Sequence, residues 1–66
     1  MGKDIQLERA RTLILNEGDR VRYKGVDWYY LRQMGGAVGR AVKLLEKHKQ
    51  VVRWSKKTKD VVRFVE

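Results

Sequence analysis

The sequence predicts a mostly-β fold, a small antiparallel barrel preceded by an N-terminal helix. At 66 residues the chain is long enough for one small domain. Arg20–Tyr23 alternates charged and apolar residues, which is typical of a half-buried strand. Gln50–Trp54 and Val61–Val65 are rich in β-branched and aromatic residues, as strands are. We therefore assign residues 1–17 to an amphipathic helix and residues 18–66 to the barrel.

The helix is predicted from one apolar stripe within residues 1–15. Its members recur at offsets of 0, 3, 6 and 7, and they are Leu7, Ala10, Leu13 and Ile14. Asp4 is a suitable N-cap residue. A competing interpretation makes Thr12–Leu15 a strand that pairs with Arg20–Tyr23 across the intervening turn. The helix is favoured, and the alternative stays open at this point.

The segment Ala37–Glu46 fits two patterns. A helix would align Val38, Ala41, Val42 and Leu45, whereas a strand would align Val38, Val42 and Leu44. Gly39 is unfavourable inside a helix by roughly 1 kcal/mol, and Gln50–Trp54 needs a strand partner. The sequence thus favours extended structure for Ala37–Glu46, with residues 46–49 as the hairpin connection.

Trp28–Met34 is also ambiguous, between an extended segment and a helical turn. Its three consecutive rings, Trp28, Tyr29 and Tyr30, cannot all point into a core. At least one of them should be exposed, and Tyr29 is the one expected to be. In the last two strands, the residues predicted to line the core are Val52, Trp54, Val62 and Phe64.

Several short motifs occur in a recognisable order. They are Gly18-Asp19-Arg20-Val21, Gly39-x-x-Val42, Val51-Val52-Arg53-Trp54 and the final segment Val61–Val65. This order resembles the SH3-like small barrels, including Tudor and KOW-type domains. With Arg22-x-x-Gly25-x-Asp27-Trp28 and Gln33-x-Gly35-Gly36 added, the pattern is similar to the Mib-Herc domain of large ubiquitin ligases. The resemblance implies a barrel and a binding role for its aromatic side, not a ubiquitin function.

The charge points to a negatively charged partner. The formal net charge is +8, and residues 40–59 hold eight basic residues against Glu46 alone. Such a field favours nucleic acid, and after it an acidic protein surface. Cysteine is absent, which favours an intracellular location, cytoplasmic or nucleoid-associated. No apolar run approaches the roughly 18 residues of a membrane span, so no membrane partner is expected.

The inventory of reactive side chains argues against an enzyme. His48 is the single histidine, so a catalytic triad or a histidine-based metal site lacks partners. The glycines at positions 35, 36 and 39 are followed by Arg40 rather than by the lysine and serine of a phosphate-binding loop. We therefore expect no catalytic residue, no metal and no cofactor.

The predicted function is a non-enzymatic basic module that binds DNA or RNA through phosphate contacts, with low sequence specificity. The predicted phosphate contacts are Arg40, Lys43, Lys47, Lys49, Arg53, Lys56, Lys57 and Lys59. The predicted stacking or protein-contact residues are Trp28, Tyr29, Tyr30 and Arg32. The alternative is a small regulator of a larger protein machine such as RNA polymerase, docked through its aromatic edge or its N-terminal helix.

Overall fold

A computed structural model describes residues 2–55 and 60–65. The first half of the chain contains α1 (Gly2–Glu17), β1 (Asp19–Tyr23) and β2 (Val26–Tyr30). The second half contains α2 (Gly36–Lys47), β3 (Val51–Arg53) and β4 (Val61–Phe64). The N-terminal helix expected over residues 1–15 is therefore present, and the competing strand at Thr12–Leu15 is not.

The four strands form one antiparallel sheet in the order β1-β2-β4-β3. Both helices contribute residues to the core beside this sheet, and they pack against each other. The prediction of a mostly-β fold is wrong, because the sheet is open and residues 18–66 include a 12-residue helix. The protein belongs to the α+β class, with a layer of two helices on a layer of four strands.

The hairpin of β1 and β2 turns at Lys24 and Gly25. Their φ angles are 50° and 78°, and positive φ at both central residues is the requirement of a type I′ hairpin turn. Glycine adopts this conformation without steric cost. The register that results pairs Tyr23 with Val26 and Asp19 with Tyr30. The turn therefore sets which side chains of the two strands share a face.

The prediction of a strand at Ala37–Glu46 is wrong, because α2 occupies this segment. Gly39 lies inside this helix for a packing reason. A Cβ atom at Gly39 would lie 2.1 Å from the carbonyl oxygen of Met34, so the close approach of the Met34 backbone to α2 leaves room only for hydrogen. The helix tolerates a propensity cost of roughly 1 kcal/mol here because every other residue would collide.

The core lies between the helices and one face of the sheet, which we call the covered face. Its strand residues are Tyr29, Val51, Val62 and the partly buried Phe64. Ile14 of α1 and Val42 and Leu45 of α2 are fully buried against it. Apolar burial on this single face supplies the main driving force for folding.

Two predictions about the core are wrong. Tyr29, expected to be exposed, is only 9% exposed and belongs to the core. Val52 and Trp54 are exposed, and Val51 takes their place inside. The predictions for Val62 and Phe64 are confirmed, although Phe64 is only partly buried. The two errors share a cause, since side chains of a strand alternate between faces and the choice of face depends on where the helices lie.

A further contact links α1 to the residue that precedes β3. Arg11 of α1 donates a side-chain hydrogen bond to Gln50, next to β3. An ion pair between Arg11 and Glu8, at 3.1 Å, holds the same guanidinium on the helix. Within residues 2–55 and 60–65, no helix has the length and the apolar character of a membrane span.

Candidate functional site: the aromatic sheet face

Among the residues that the structure describes, no helix covers the face of the sheet opposite the covered face. Directly paired residues of an antiparallel sheet lie on the same face. The strand register therefore identifies the residues that share a face with the exposed Val21. Val21 pairs with Trp28, Asp19 pairs with Tyr30, and Val52 pairs with Arg63. We call this surface the aromatic sheet face, and its principal residues are Val21, Tyr23, Trp28, Tyr30, Val52, Trp54 and Arg63.

Three rings on this face contact one another across the sheet. The ring centroids of Trp28 and Trp54 are 4.7 Å apart, and those of Tyr23 and Trp54 are 5.2 Å apart. Both pairs are edge-to-face, a geometry that aromatic quadrupoles favour. Trp54 and Tyr23 are each 46% exposed and Tyr30 is 41% exposed. Ring surface is therefore presented to solvent from three strands or strand ends.

Cationic groups are interleaved with these rings. The guanidinium of Arg63 lies 5.6 Å from the centroid of Trp28, and the Lys24 ammonium lies 5.3 Å from that of Tyr23. Both distances are within the range of cation–π attraction. At the other end of the face, Arg32 forms an ion pair with Asp19 at 2.9 Å. The face thus combines flat apolar surfaces with positive charges held beside them.

The predicted stacking residues separate into different environments. Trp28 and Tyr30 lie on the aromatic sheet face, whereas Tyr29 points into the core between them. Arg32 lies at the edge of the face with its charge paired to Asp19. The structure therefore brings Trp28 and Tyr30 together with residues that the prediction did not include.

The strand hairpin expected to hold the predicted phosphate contacts does not form, because Ala37–Glu46 is part of α2. Arg40, Lys43 and Lys47 are exposed on α2 at helical spacing, and we call them the helix stripe. Lys49 lies in the turn after α2. Arg53 donates hydrogen bonds of 3.1 and 3.2 Å to Glu46, and its side chain is 19% exposed. Lys56, Lys57 and Lys59 lie outside the described residues.

Sequence reasoning did not assign Tyr23, Trp54, Val21, Val52 or Arg63 to the site. A signal existed in the hairpin turn at Lys24-Gly25, which fixes the β1–β2 register and places Val21 beside Trp28. No comparable signal places Trp54, because it meets Trp28 only after β4 has been inserted between β2 and β3. The position of β4 in the sheet is decided by tertiary packing and not by the local sequence.

The comparisons with known proteins give no family assignment. No family model matches the sequence, and no curated protein and no solved structure matches the chain. The resemblance to SH3-like and Mib-Herc domains therefore receives no support from them. Across the described residues, no three histidine, cysteine, aspartate or glutamate side chains are grouped as metal ligands.

Proposed function

We propose that this protein is a non-enzymatic module that binds single-stranded nucleic acid through the aromatic sheet face, with low sequence specificity. The observation that carries the proposal is the set of exposed rings on one sheet face, with arginine and lysine held beside them, in a chain of net charge +8. As its partner requires, we place it inside the cell, in the cytoplasm or with the nucleoid.

Stacking supplies the contact energy. An aromatic side chain on which a base stacks contributes about 1–3 kcal/mol per base. Tyr23, Tyr30 and Trp54 offer ring surface to solvent, so a short strand can engage more than one of them. The bases of a duplex are already stacked on their neighbours and their flat faces are not accessible. A single strand is therefore the form that this surface suits.

Charge supplies attraction and orientation. Arg63 and Lys24 lie beside the rings, where each can meet a phosphate next to a stacked base. The helix stripe belongs to the helix layer, on the other side of the sheet. In this proposal it adds to the long-range field that steers a polyanion toward the protein and makes no contact with the strand on the aromatic sheet face.

Low specificity follows from the type of contact. Every base has a π-face, so stacking tolerates any sequence. Phosphate contacts fix position but carry no sequence information. Modest preferences should come from stacking strength, with purines favoured over pyrimidines.

A second candidate is a regulator that docks on an acidic surface of a larger protein, such as RNA polymerase. The observation in its favour is the exposure of Val21, Val52 and Val65, at 53%, 37% and 45%. Valine side chains cannot stack with bases, and a contiguous apolar patch is typical of protein interfaces. Tyrosine, tryptophan and arginine are also the residues that dominate protein hot spots.

Intrinsic fluorescence tests the proposal directly, because Trp28 and Trp54 are the two tryptophans of the chain and both lie on the aromatic sheet face. Titration with mixed-sequence single-stranded oligonucleotides should quench their emission. The affinity obtained from the titration should be higher at low salt than at physiological salt. A duplex of the same sequence should bind more weakly.

The variant Trp54→Ala should weaken single-strand binding by about 1–3 kcal/mol, or roughly 5- to 150-fold. Leu15→Ala is the matched control, because Leu15 is 51% exposed on α1 and away from the sheet face. Its affinity should equal that of the wild type. Absence of quenching at low salt would overturn the proposal. The second candidate would then be supported if, in a pull-down, the wild type but not Trp54→Ala retained an acidic protein partner.

A further inference from the structure

The two central strands of the sheet diverge at one end. β2 and β4 pair at Tyr30↔Val61 and at Tyr29↔Val62, and the ladder ends there. The same register continued would next pair Trp28 with Arg63, and that pair is absent. β1 and β2 meanwhile stay paired as far as Tyr23↔Val26. The sheet is therefore split between its middle strands, at the end that carries the β1–β2 turn.

A cleft of about 530 Å³ occupies this split. Its lining includes Arg22, Asp27, Tyr29, Arg63, Phe64 and Val65. Arg63 and Val65 belong to the aromatic sheet face by strand alternation, whereas Tyr29 and Phe64 belong to the covered face. Because residues of both faces contribute, the cleft lies between the two strands, with Arg63 on its aromatic-face side.

The walls suit a flat aromatic ligand. Tyr29 and Phe64 form an edge-to-face pair with centroids 5.5 Å apart, and Val65 adds apolar surface at the entrance. The volume lies within the range of about 300–1,000 Å³ typical of small-molecule sites. The cleft is therefore large enough for a nucleobase to lie against this aromatic pair.

The charges at the cleft suit a phosphate. Asp27 is the acid of the described lining, and Arg22 neutralises it through an ion pair at 3.1 Å. Arg22 also donates a hydrogen bond to the carbonyl oxygen of Gly25, so its charge is directed at the turn. Arg63 remains at the entrance with its guanidinium over Trp28, which leaves the cleft with a net positive charge.

We propose that this cleft binds one nucleotide unit of the strand that lies on the aromatic sheet face. The base enters the split between β2 and β4, and Arg63 contacts the adjoining phosphate. This inference rests on the proposed function, since it assigns one nucleotide of the same bound strand to a defined site. It adds that a single mononucleotide has a place to bind without the rest of the strand.

Amide chemical shifts of the ¹⁵N-labelled protein provide the test, with AMP, UMP and inorganic phosphate as separate probes. AMP and UMP should shift the amides of Asp27, Tyr29, Phe64 and Val65, and phosphate alone should not. Val65→Trp should fill the cleft entrance and abolish these shifts. Leu15→Trp is the matched control, because Leu15 is exposed on α1 and does not line the cleft. It should leave the mononucleotide shifts in place.

The outcomes separate the cleft from the wider proposal. If oligonucleotides bind but mononucleotides leave these amides unshifted, the cleft inference is overturned and the proposed function stands. If phosphate alone gives the same shifts, the base has no role and the inference is likewise overturned. If mononucleotides bind in the cleft but oligonucleotides do not bind, the inference stands as a nucleotide site and the proposed function fails.

Should Val65→Trp lose its folded circular dichroism spectrum, a pair of charge variants decides. Arg63→Gln should weaken AMP binding by at least about 12-fold, the lower end for a charged hydrogen bond. Arg20→Gln removes the same charge from an exposed position of β1 that does not line the cleft, and it should leave AMP affinity unchanged. Equal losses in the two variants would show that net charge alone attracts the nucleotide.

Discussion

The two faces of the sheet are built from the same strands, but one is buried and the other is exposed to solvent. On the covered face, Val62 and Val51 are 0% and 2% exposed. On the aromatic sheet face, Val52, the chain neighbour of Val51, is 37% exposed and Trp54 is 46% exposed. The residue types on the two faces are similarly apolar. Their difference teaches that apolar side chains alone do not decide which face is the core, because the two helices cover only one.

The exposed face therefore calls for a functional explanation. Single exposed apolar residues are ordinary, but contiguous patches on small proteins mark interaction sites. Trp54 contacts the rings of Trp28 and Tyr23, so these side chains cover part of one another's surface. The remaining ring surface is the part that we assign to a partner. The covered face should accordingly determine stability, and the aromatic sheet face should determine binding.

The largest expected effect is on stability and separates the two faces. Leu45 is 0% exposed against the covered face, so Leu45→Ala should lower the free energy of unfolding by about 2–5 kcal/mol. A domain of this size rarely has more than about 3–5 kcal/mol in total, and the variant should be largely unfolded in urea titrations. Val21→Thr on the aromatic sheet face is the control and should change stability by less than about 0.5 kcal/mol. Comparable losses would contradict the assignment of the core to one face.

The next effect concerns the close approach of α2 to the Met34 backbone. Gly39→Ala improves helix propensity, yet its Cβ would meet the Met34 carbonyl oxygen at 2.1 Å, so we expect a loss of about 1–3 kcal/mol, as for overpacking. Gly35→Ser is the control. No atom lies within 4 Å of a Cβ there, and serine is a good N-cap residue, so its stability should be unchanged or slightly higher. Thermal unfolding measures both, and a stabilised Gly39→Ala would show that α2 does not pack as described.

The smallest effect tests whether the helix stripe contacts the nucleic acid. Loss of three phosphate contacts would reduce the slope of log affinity against log salt by about 2 for a single strand. We expect the triple variant Arg40→Gln, Lys43→Gln, Lys47→Gln to leave the slope nearly unchanged. Arg63→Gln is the comparison variant and should reduce it by about 0.7. A reduction near 2 in the triple variant would move the binding surface from the sheet to the helix layer.

Local patterns determined much of the secondary structure. The apolar stripe of the first helix, the alternation of Arg20–Tyr23 and the β-branched segments near Val51 and Val61 each predicted the element that is found. These elements could be predicted because each depends on a pattern of residues that are close in sequence. The high positive charge and the scarcity of catalytic side chains were equally open to inspection, and they still direct the functional proposal.

The sequence misled where a distant contact decided the outcome. The low helix propensity of Gly39 favoured a strand, but the Met34 backbone packs so closely against α2 that only glycine fits at this position. Tyr29 and Trp54 were assigned to the wrong sides because strand alternation gives two faces without saying which one the helices cover. The juxtaposition of Trp28 with Trp54 and the split between β2 and β4 depend on the strand order β1-β2-β4-β3. Strand order is a property of how the elements pack, and no local pattern encodes it.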